Sequence, residues 1–462
     1  MNTDIPEMYK RAFKEADIRG VYPDMIDDRL VYYAARAFVE EFKYTKLVVG
    51  RDMRIHSPAL HEAFIKGATD SGASIVDIGL VHSPAVYYAS ATMDLPGVMI
   101  TASHSPKEYH GLKLVHAQAI PLTEKTGLGK IRRRIEKNKF IDADKRGKVT
   151  TKNVLKGYQR YVLKGYKSKK LEGMRIVADS GNGMASVMLP LLQEKLPLKL
   201  DVLFPKLDGS FPNRDSDPTL GKNQRQLKAK LKGGRYDFGI SFDGDGDRIA
   251  FLDEKGKFIN SAVIGALIAE RLLKSNPGAK IGYTPLTSRS YEESIKAAGG
   301  KALLMKVGHA FIKDSMRKKD VLFACEHSSH FYFKDFFYTD SVTLTLLAVL
   351  DAYAEAKADG KTFGQMMKSH IKYQQTEDVV VFVKDRELAF KKTEAFIRKM
   401  KPERIKNFDG RVIDFGNVWG VLKMSVTEYA LKLMFESAKK KDAQIIQDQI
   451  EQYIKSIANA SK

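Results

Sequence analysis

The sequence contains one cysteine, Cys325, and no long hydrophobic run. A single thiol cannot form an internal disulfide or a zinc site built from several cysteines, and it suits a reducing compartment. No segment approaches the roughly 18 uninterrupted apolar residues that a spanning helix needs, and the first residues lack the apolar segment of a signal peptide. We therefore expect a cytoplasmic protein that does not interact with a membrane.

The sequence also lacks low-complexity linkers, although its 462 residues exceed what one hydrophobic core holds. Single cores stop growing at roughly 250 to 300 residues, so three or four domains are expected. Hydrophobic residues make up 44% and charged residues 29% of the chain. This balance is typical of a globular protein and excludes a disordered or fibrous one.

Negative charge is in short supply, since 77 Lys and Arg face 56 Asp and Glu, for a formal charge of +21. Such an excess attracts anions without identifying them. The basic residues are scattered over amphipathic segments, with no interleaved platform of aromatic residues on which bases could stack. We therefore expect a phosphorylated metabolite as the partner, and no nucleic acid.

Short β-branched runs alternate with amphipathic segments along most of the chain. The pattern predicts a strand over 46–50, a helix over 57–72 and a strand over 97–103. It restarts near residue 150, with strands over 174–180 and 238–242, and restarts again near 260. We predict an α/β fold of three similar units followed by a smaller α+β unit from about residue 370, although no fixed repeat period is evident.

An acidic turn places Asp243, Asp245 and Asp247 within five residues, between two apolar strands. Two like charges about 4 Å apart repel by roughly 4 kcal/mol at an effective dielectric constant of about 20, and a bound cation removes that cost. The intervening Gly244 and Gly246 leave the backbone free to adopt positive φ, so that the carboxylates can converge. Oxygen ligands of this kind favour Mg²⁺ or Ca²⁺.

This turn allows two other interpretations. In an EF-hand the three aspartates and Glu254 would occupy loop positions 1, 3, 5 and 12, but position 6 is Arg248 instead of glycine and the flanks resemble strands. The other interpretation is a solvated acidic turn that holds no metal.

A second segment, 97–115, begins with an apolar strand that ends at Ser103 and His104. Lys113 follows further along the same segment. A serine hydroxyl is a poor nucleophile until a base, a cation or a metal assists it. Together with the acidic turn, however, Ser103 offers a site for a phosphoserine whose oxygen completes the coordination of the metal.

Two further segments carry polar side chains at short spacing. In 325–333, alternate residues fall on one face of an extended strand or loop, which suits hydrogen bonding to sugar hydroxyls or an ordinary polar edge. In 423–433, one cation and two hydroxyls precede a strand, which suits a phosphate or an ordinary turn. The residues concerned are Glu326, Ser328 and His330 in the first segment and Lys423, Ser425 and Thr427 in the second.

In this order, the four segments resemble the α-D-phosphohexomutase superfamily, and most closely its phosphomannomutase/phosphoglucomutase branch. The resemblance covers nearly the whole chain. Further collinear matches lie at 13–20 (FKEADIRG), 50–58 (GRDMRIHSP), 181–183 (GNG), 211–218 (FPNRDSDP) and 306–313 (KVGHAFIK).

The resemblance implies roles for individual residues. Ser103 would carry the phosphoryl group and, with Asp243, Asp245 and Asp247, bind one Mg²⁺ ion, while Arg248 would steady the phosphoserine. Glu326 and Ser328 would bind sugar hydroxyls, and Lys423, Ser425 and Thr427 the phosphate that does not react. The groups implied in proton transfer or charge stabilisation are His104, Lys113, Arg19, His309 and His330.

The implied architecture has four domains in a heart shape, with the four segments meeting in a central cleft. We place three mixed α/β domains at 1–148, 149–254 and 255–368, and a C-terminal α+β domain that resembles the TATA-binding protein at 369–462. The implied activity interconverts hexose 1-phosphate and hexose 6-phosphate, of mannose, glucose or both, through a phosphoserine and a 1,6-bisphosphate, which also serves as activator. The sequence leaves the oligomeric state open, with a monomer as the default expectation.

Three alternatives to a mutase stay open at this point. A degenerate homologue would bind phosphorylated sugars or polyanions without turnover, a metal-dependent phosphatase would use the acidic turn alone, and a nucleic-acid binder comes last. The first is motivated by the altered phosphate loop, which departs from the family pattern at Lys423, Val426 and Tyr429. In particular, Lys423 stands where the family has arginine. An arginine binds phosphate through two hydrogen bonds in one plane, whereas a lysine offers only a point charge. Further departures lie at Ala16, Ser105, Cys325 and Ser329.

Overall fold

A mixed sheet forms from the first strands of the chain. The computed structural model describes residues 7–425 and 429–459. The apolar runs that were predicted as strands form the buried centre of this sheet, where Leu47, Val48 and Val49 of β2 are inaccessible to solvent. The first elements are α1 (Glu7–Ala12), β1 (Ile18–Val21), α2 (Asp28–Phe42), β2 (Lys46–Arg51), α3 (Ser57–Asp70), β3 (Ser74–Leu80), α4 (Ser83–Met93), β4 (Gly97–Ile100), β5 (Tyr109–His116), β6 (Ile120–Pro121), α5 (Gly129–Lys137) and β7 (Val149–Thr151).

The strand order of this first sheet is β1-β5-β4-β2-β3-β7, with β6 beside β5. Strands β4, β2, β3 and β7 are mutually parallel, whereas β5 runs antiparallel to β4 and to β1. Helix α2 begins at the cap residue Asp27, whose carboxylate accepts the Leu30 amide. Strand β4 ends at Ile100 and β5 begins at Tyr109, so the loop that joins them lies at the ends of these two strands. This loop carries Ser103.

A second sheet follows, with the strand order β12-β11-β10-β8-β9. Strand β10 covers the same residues, 238–242, that the sequence predicted, and all five are buried. Strand β10 is parallel to β8 and forms an antiparallel hairpin with β11, and the acidic turn joins the two. The elements of this part are α6 (Leu155–Val162), β8 (Arg175–Asp179), α7 (Ala185–Gln193), β9 (Lys199–Leu203), α8 (Arg225–Leu231), β10 (Phe238–Phe242), β11 (Ile249–Leu252) and β12 (Phe258–Ile259).

The third part of the chain is again α/β. Strand β13 is parallel to both β14 and β15, and β16 and β17 form an antiparallel pair. Asn260 and Ser341 cap α9 and α12 by accepting backbone amides. The elements are α9 (Ser261–Ser275), β13 (Lys280–Tyr283), α10 (Arg289–Ala297), β14 (Lys301–Leu304), α11 (His309–Lys319), β15 (Phe323–Cys325), β16 (Phe331–Phe333), β17 (Thr339–Asp340), α12 (Val342–Ala358) and α13 (Phe363–Lys368).

The C-terminal part is an antiparallel sheet with two helices, in agreement with the predicted α+β unit. Its strand order is β18-β23-β22-β21-β20, and β19 also pairs with β23. Its core contains Phe390 and Ile397 of α14 and Ile450 and Ile454 of α15. The elements are β18 (Gln374–Gln375), β19 (Val379–Phe382), α14 (Arg386–Lys399), β20 (Arg404–Asn407), β21 (Arg411–Asp414), β22 (Val418–Met424), β23 (Ala430–Ser437) and α15 (Lys440–Asn459).

The chain divides into two compact units that do not follow the order of the sequence. The first contains the described residues up to Ile259 together with Met316–Lys318 and Ser328–Met366, and the second contains Asn260–Ser315, Lys319–His327 and the described residues from Met367 onward. None of the described helices combines the length and the apolar character that crossing a membrane requires. The mixed α/β class is as predicted.

Candidate active site

The acidic turn between β10 and β11 gathers three buried carboxylates in the first unit. Asp243, Asp245 and Asp247 are 1%, 0% and 3% exposed, and each offers an oxygen within 4.8 Å of the others. This burial is incompatible with a solvated acidic turn. An EF-hand is also excluded, because the turn joins two antiparallel strands instead of two helices.

The two glycines of this turn serve different purposes. Gly246 has φ of +69°, as the sequence predicted. Gly244 does not have positive φ, so that part of the prediction is wrong. A Cβ at Gly244 would lie 2.7 Å from Ser216 Oγ and 2.8 Å from the Ser103 carbonyl oxygen. Glycine is therefore required at position 244 because another loop approaches it closely.

Ser103 lies directly against the acidic turn. Its hydroxyl donates a hydrogen bond of 2.9 Å to Asp243 Oδ2 and lies 3.4 Å from His104 Nδ1. Ser103 has a left-handed backbone with φ of +52°, and its amide donates to Thr101 Oγ1. The strand predicted over 97–103 ends at Ile100 because the chain turns here. The turn directs the serine hydroxyl towards the carboxylates.

The oxygens of the turn suit a divalent cation. Asp245 Oδ1 is buried and accepts no hydrogen bond from the described residues, whereas Oδ2 of the same residue accepts from Ser83 and from Lys113. A buried carboxylate oxygen without a donor is costly unless a cation satisfies it. The set of three carboxylates and one hydroxyl is the kind of oxygen donor set that Mg²⁺ prefers.

Lys113 compensates part of the negative charge. Its ammonium group lies 2.6 Å from Asp245 Oδ2 and 2.5 Å from Asp247 Oδ2, and the side chain is 5% exposed. Burial alone would lower the pKa of Lys113, but the two carboxylates raise it well above its usual value. Burial, reinforced by Asp247 and Asp245, raises the pKa of Asp243.

His104 is surrounded by positive groups. Arg248 Nη2 lies 3.4 Å from His104 Nε2, and Arg19 Nη1 donates to Ser105 Oγ at 3.1 Å. Burial lowers the pKa of His104 well below its usual value, and Arg248 and Arg19 lower it further. Burial and the neighbouring cations therefore favour the uncharged form of the imidazole beside the Ser103 hydroxyl.

His330 reaches the acidic turn from a different part of the first unit. Its Nε2 lies 3.3 Å from Asp247 Oδ1, and its Nδ1 lies 2.8 Å from Ser328 Oγ. Residues 327–329 form a turn between β15 and β16, so of the strand or loop expected for 325–333 the middle is a loop and not a continuous strand. Ser329 has φ of +67°, and its carbonyl accepts the Ile249 amide at 3.2 Å. That hydrogen bond attaches the turn to the start of β11.

The remaining predicted residues belong to the second unit. Glu326 Oε1 accepts the Gly308 amide at 3.0 Å, immediately before His309 at the start of α11. Lys423 is at the end of β22 and donates to Asp409 Oδ2 at 2.7 Å. The Ser425 amide donates to the Ala430 carbonyl at 2.8 Å. Thr427 and Val426 lie outside the described residues. The catalytic, sugar and phosphate roles of these residues stay predictions.

Three family models match successive parts of the chain. They describe α/β/α domains I, II and III of phosphoglucomutase/phosphomannomutase and match residues 10–142, 156–256 and 260–373. A curated relative named "Phosphohexose mutases", from Xanthomonas campestris pv. campestris, is 32% identical over 428 residues, which are 92% of this chain and 95% of the relative. The chain belongs to the phosphoglucomutase/phosphomannomutase family.

Two further members of the phosphoglucomutase/phosphomannomutase family support the assignment. A phosphomannomutase from Escherichia coli K12 is 35% identical over 369 residues, which are 78% of this chain and 80% of the relative. The crystal structure of a family protein from Burkholderia thailandensis superposes with a TM-score of 0.88 at 27% identity, over 97% of this chain and 99% of that one. The family and the mixed α/β fold class predicted from the sequence are both confirmed.

Sequence reasoning overlooked Ser83 in this member of the phosphohexomutase family. The Ser83 hydroxyl donates to Asp245 Oδ2 at 2.6 Å, and its amide donates to the Asp245 carbonyl at 2.9 Å. Ser83 is the first residue of α4 and is fully buried. A serine followed by proline before a helical run indicates a helix start. Nothing local indicates that this start would meet a turn 162 positions later.

Proposed function

We propose that the chain is a magnesium-dependent phosphosugar mutase that interconverts hexose 1-phosphate and hexose 6-phosphate through a phosphorylated Ser103. The observation that carries the proposal is the hydrogen bond from Ser103 to Asp243 within a buried group of three carboxylates. The family assignment supports it, since the relatives are named phosphohexose mutases and phosphomannomutases. The same names favour the mutase over a degenerate homologue that only binds.

In the first half-reaction, a hydroxyl oxygen of the hexose monophosphate forms a bond to the phosphorus of phosphoserine 103. The bond between that phosphorus and Ser103 Oγ breaks, Ser103 Oγ takes up a proton, and the sugar hydroxyl gives its proton to a base. The product is a bound 1,6-bisphosphate. After the sugar reorients, Ser103 Oγ forms a bond to the phosphorus of its other phosphoryl group and the bond from that phosphorus to the sugar oxygen breaks. The sugar oxygen takes up a proton, and the serine gives its proton to a base, for which the His104 imidazole, 3.4 Å from Ser103 Oγ, is the candidate.

Ser103, Asp243, Asp245 and Asp247 would hold the Mg²⁺ ion. When bound, Mg²⁺ supplies Lewis-acid stabilisation of the charge that develops on the transferred phosphoryl group. Lys113 forms ion pairs with Asp245 and Asp247, while Arg248 and Arg19 present positive charge beside His104 and Ser105. These side chains orient the phosphoryl oxygens and neutralise part of their charge.

The substrate is a hexose carrying phosphate at position 1 or 6, with mannose and glucose as the expected sugars. Glu326 and Ser328 would form hydrogen bonds with the sugar hydroxyls, and His309 and His330 would serve as proton-transfer or charge-stabilising groups. Lys423, Ser425 and Thr427 would bind the phosphate that does not react. The net charge of +21 would attract the dianionic substrate and help to retain the bisphosphate while it turns.

The deciding experiment supplies mannose 1-phosphate or glucose 1-phosphate, with a hexose 1,6-bisphosphate activator and Mg²⁺, and measures the 6-phosphate formed. A mutase converts substrate without net release of phosphate. Substrate binding without conversion would support the degenerate homologue. Steady release of inorganic phosphate would support a phosphatase built on the acidic turn.

We further propose that the protein acts as a cytoplasmic monomer. Sedimentation tests the oligomeric state, and cell fractionation tests the location.

A further inference from the structure

The Ser103 carbonyl oxygen accepts two hydrogen bonds from side chains outside its own loop. Arg54 Nη2 and Ser216 Oγ each donate to it at 2.9 Å. Both donors come from segments that the family resemblance includes, 50–58 and 211–218, but that the mechanism above does not use. Both lie in the same compact unit as Ser103.

Arg54 is fully buried, and its guanidinium binds the carbonyls of the serine loop. It donates to four carbonyl oxygens at 2.6 to 2.9 Å, those of Ser103, Ser105, Pro106 and Tyr109. A guanidinium carries five N–H donors in a fixed plane, so one side chain can fix several carbonyls at once. The Asp52 carboxylate lies 3.5 Å from Arg54 Nε and provides the countercharge.

Ser216 connects the serine loop to the acidic turn. Its hydroxyl accepts the Gly244 amide at 2.8 Å and donates to the Ser103 carbonyl at 2.9 Å. The side chain is 2% exposed. A single hydroxyl therefore joins the backbone of the proposed nucleophile to the backbone that carries Asp243 and Asp245.

These contacts bear on the conformation of Ser103 itself. A residue other than glycine in the left-handed region is strained, and it persists only where the surroundings hold it there. If the Ser103 backbone left the left-handed region, its carbonyl would lose these hydrogen bonds. The same change would redirect the Ser103 side chain, whose hydroxyl now lies 2.9 Å from Asp243 Oδ2.

We propose that Arg54 and Ser216 are positioning residues for phosphoryl transfer. By binding the Ser103 carbonyl, they keep the Ser103 hydroxyl beside the carboxylates of the acidic turn. The inference rests on the proposed function and goes beyond it. Neither side chain needs to touch the substrate. Their loss should slow the chemical step and leave the binding of hexose phosphate nearly unchanged.

The test uses Ser216→Ala in the full chain. Wild type and variant are dephosphorylated and mixed with glucose 1,6-bisphosphate and Mg²⁺, and phosphorylation of Ser103 is followed by intact mass in a single turnover. We expect about a tenfold slower rate, since one well-placed hydrogen bond contributes on the order of that factor. The KM for hexose 1-phosphate should change less than about twofold, because the substrate contacts are retained.

Ser90→Ala is a matched control. Ser90 is also buried, and its hydroxyl likewise joins two segments, because it donates to the Leu95 carbonyl at 2.7 Å and accepts the Ala119 amide at 3.2 Å. It lies outside the site, so its loss should lower the unfolding temperature without slowing phosphorylation. Ser216→Thr retains the hydroxyl and should recover most of the rate. If Ser216→Ala fails to fold, Ser216→Cys, which keeps a side chain of similar size and weakens both hydrogen bonds, provides the same comparison.

The possible results separate the two claims. If the wild type takes up no phosphoryl group, the proposed function is wrong and this inference is wrong with it. If the wild type is phosphorylated and folded Ser216→Ala matches its rate, or if Ser90→Ala slows equally, only the positioning role is wrong.

Discussion

Ser103 donates a hydrogen bond of 2.9 Å to Asp243, across 140 positions of sequence. Around this contact the first unit collects a cationic lysine, a neutral histidine and two arginines. A nucleophilic hydroxyl, oxygen ligands for a cation and positive charge for a phosphate therefore occupy one place.

Ser103→Ala should abolish mutase turnover, because no other group would accept the phosphoryl. The expected loss is at least about 10³-fold in kcat, the scale seen when a covalent nucleophile is removed. The assay follows conversion of glucose 1-phosphate to glucose 6-phosphate. Ser71→Ala, whose hydroxyl binds Glu40 on the helical side of the first sheet, should keep normal activity. Normal turnover by Ser103→Ala would refute the phosphoserine mechanism.

Asp245→Asn should weaken Mg²⁺ binding by at least about tenfold, because it neutralises one of the three carboxylates and replaces a ligand oxygen. Calorimetric titration of the protein with Mg²⁺ measures this without any substrate. The control is Asp253→Asn. Asp253 is a buried aspartate in the next turn of the sheet, between β11 and β12, where it accepts the Lys255 and Lys257 amides. Equal affinity in wild type and Asp245→Asn would remove Asp245 from the proposed metal site.

Acid should destabilise the protein partly through His110. Burial, with a further contribution from Arg54, lowers the pKa of His110 from 6.5 to about 4, and its Nε2 accepts the His56 amide at 3.2 Å. Between pH 6.5 and about 4 the unfolded chain binds a proton at this residue and the folded chain does not. The free energy of unfolding should therefore fall as pH decreases through that window, by at most about 1.4 kcal/mol per pH unit.

Urea unfolding at several pH values, in wild type and His110→Gln, isolates this contribution. Glutamine retains a hydrogen-bond acceptor but does not titrate, so the variant should lose stability less steeply below pH 6.5. Parallel slopes for the two proteins would show that His110 is not the group responsible.

Lys423→Met should raise the KM for hexose phosphate by about 10-fold or more, because a charge-assisted hydrogen bond to phosphate contributes about 1.5 to 3 kcal/mol. In the structure the ammonium pairs with Asp409, which also accepts the Val307 amide at 2.9 Å. Lys406→Met removes an exposed lysine from the same sheet and should leave KM unchanged. An unchanged KM in Lys423→Met would mean that another group binds the distal phosphate.

The parts of the site that could be predicted from the sequence are those with a local chemical pattern. Three aspartates within five residues repel one another when they converge, so their spacing pointed to a cation, although only their burial in the structure excluded a solvated turn. Ser103, at the end of an apolar strand, could be predicted as a phosphoserine only in combination with that acidic turn. The roles assigned to Arg19, Lys113, His309 and His330 came from family resemblance and not from spacing.

Residues whose roles depend on contacts between segments distant in sequence could not be predicted. Ser216 reaches the Ser103 carbonyl from 113 positions away, and a serine in a polar segment carries no local signal. The turn at Ser329 was missed because its positive φ is not marked by a glycine. Gly244 was correctly singled out for the wrong reason, since its role depends on the approach of a second loop.

The central claim is that Ser103 receives and returns the phosphoryl group. The most direct measurement is the intact mass of the wild-type protein after incubation with glucose 1,6-bisphosphate and Mg²⁺, followed by peptide mapping. The account predicts one added phosphoryl group, located on Ser103 and lost when hexose monophosphate is supplied. An unchanged mass, or a phosphoryl group on another residue, would contradict it.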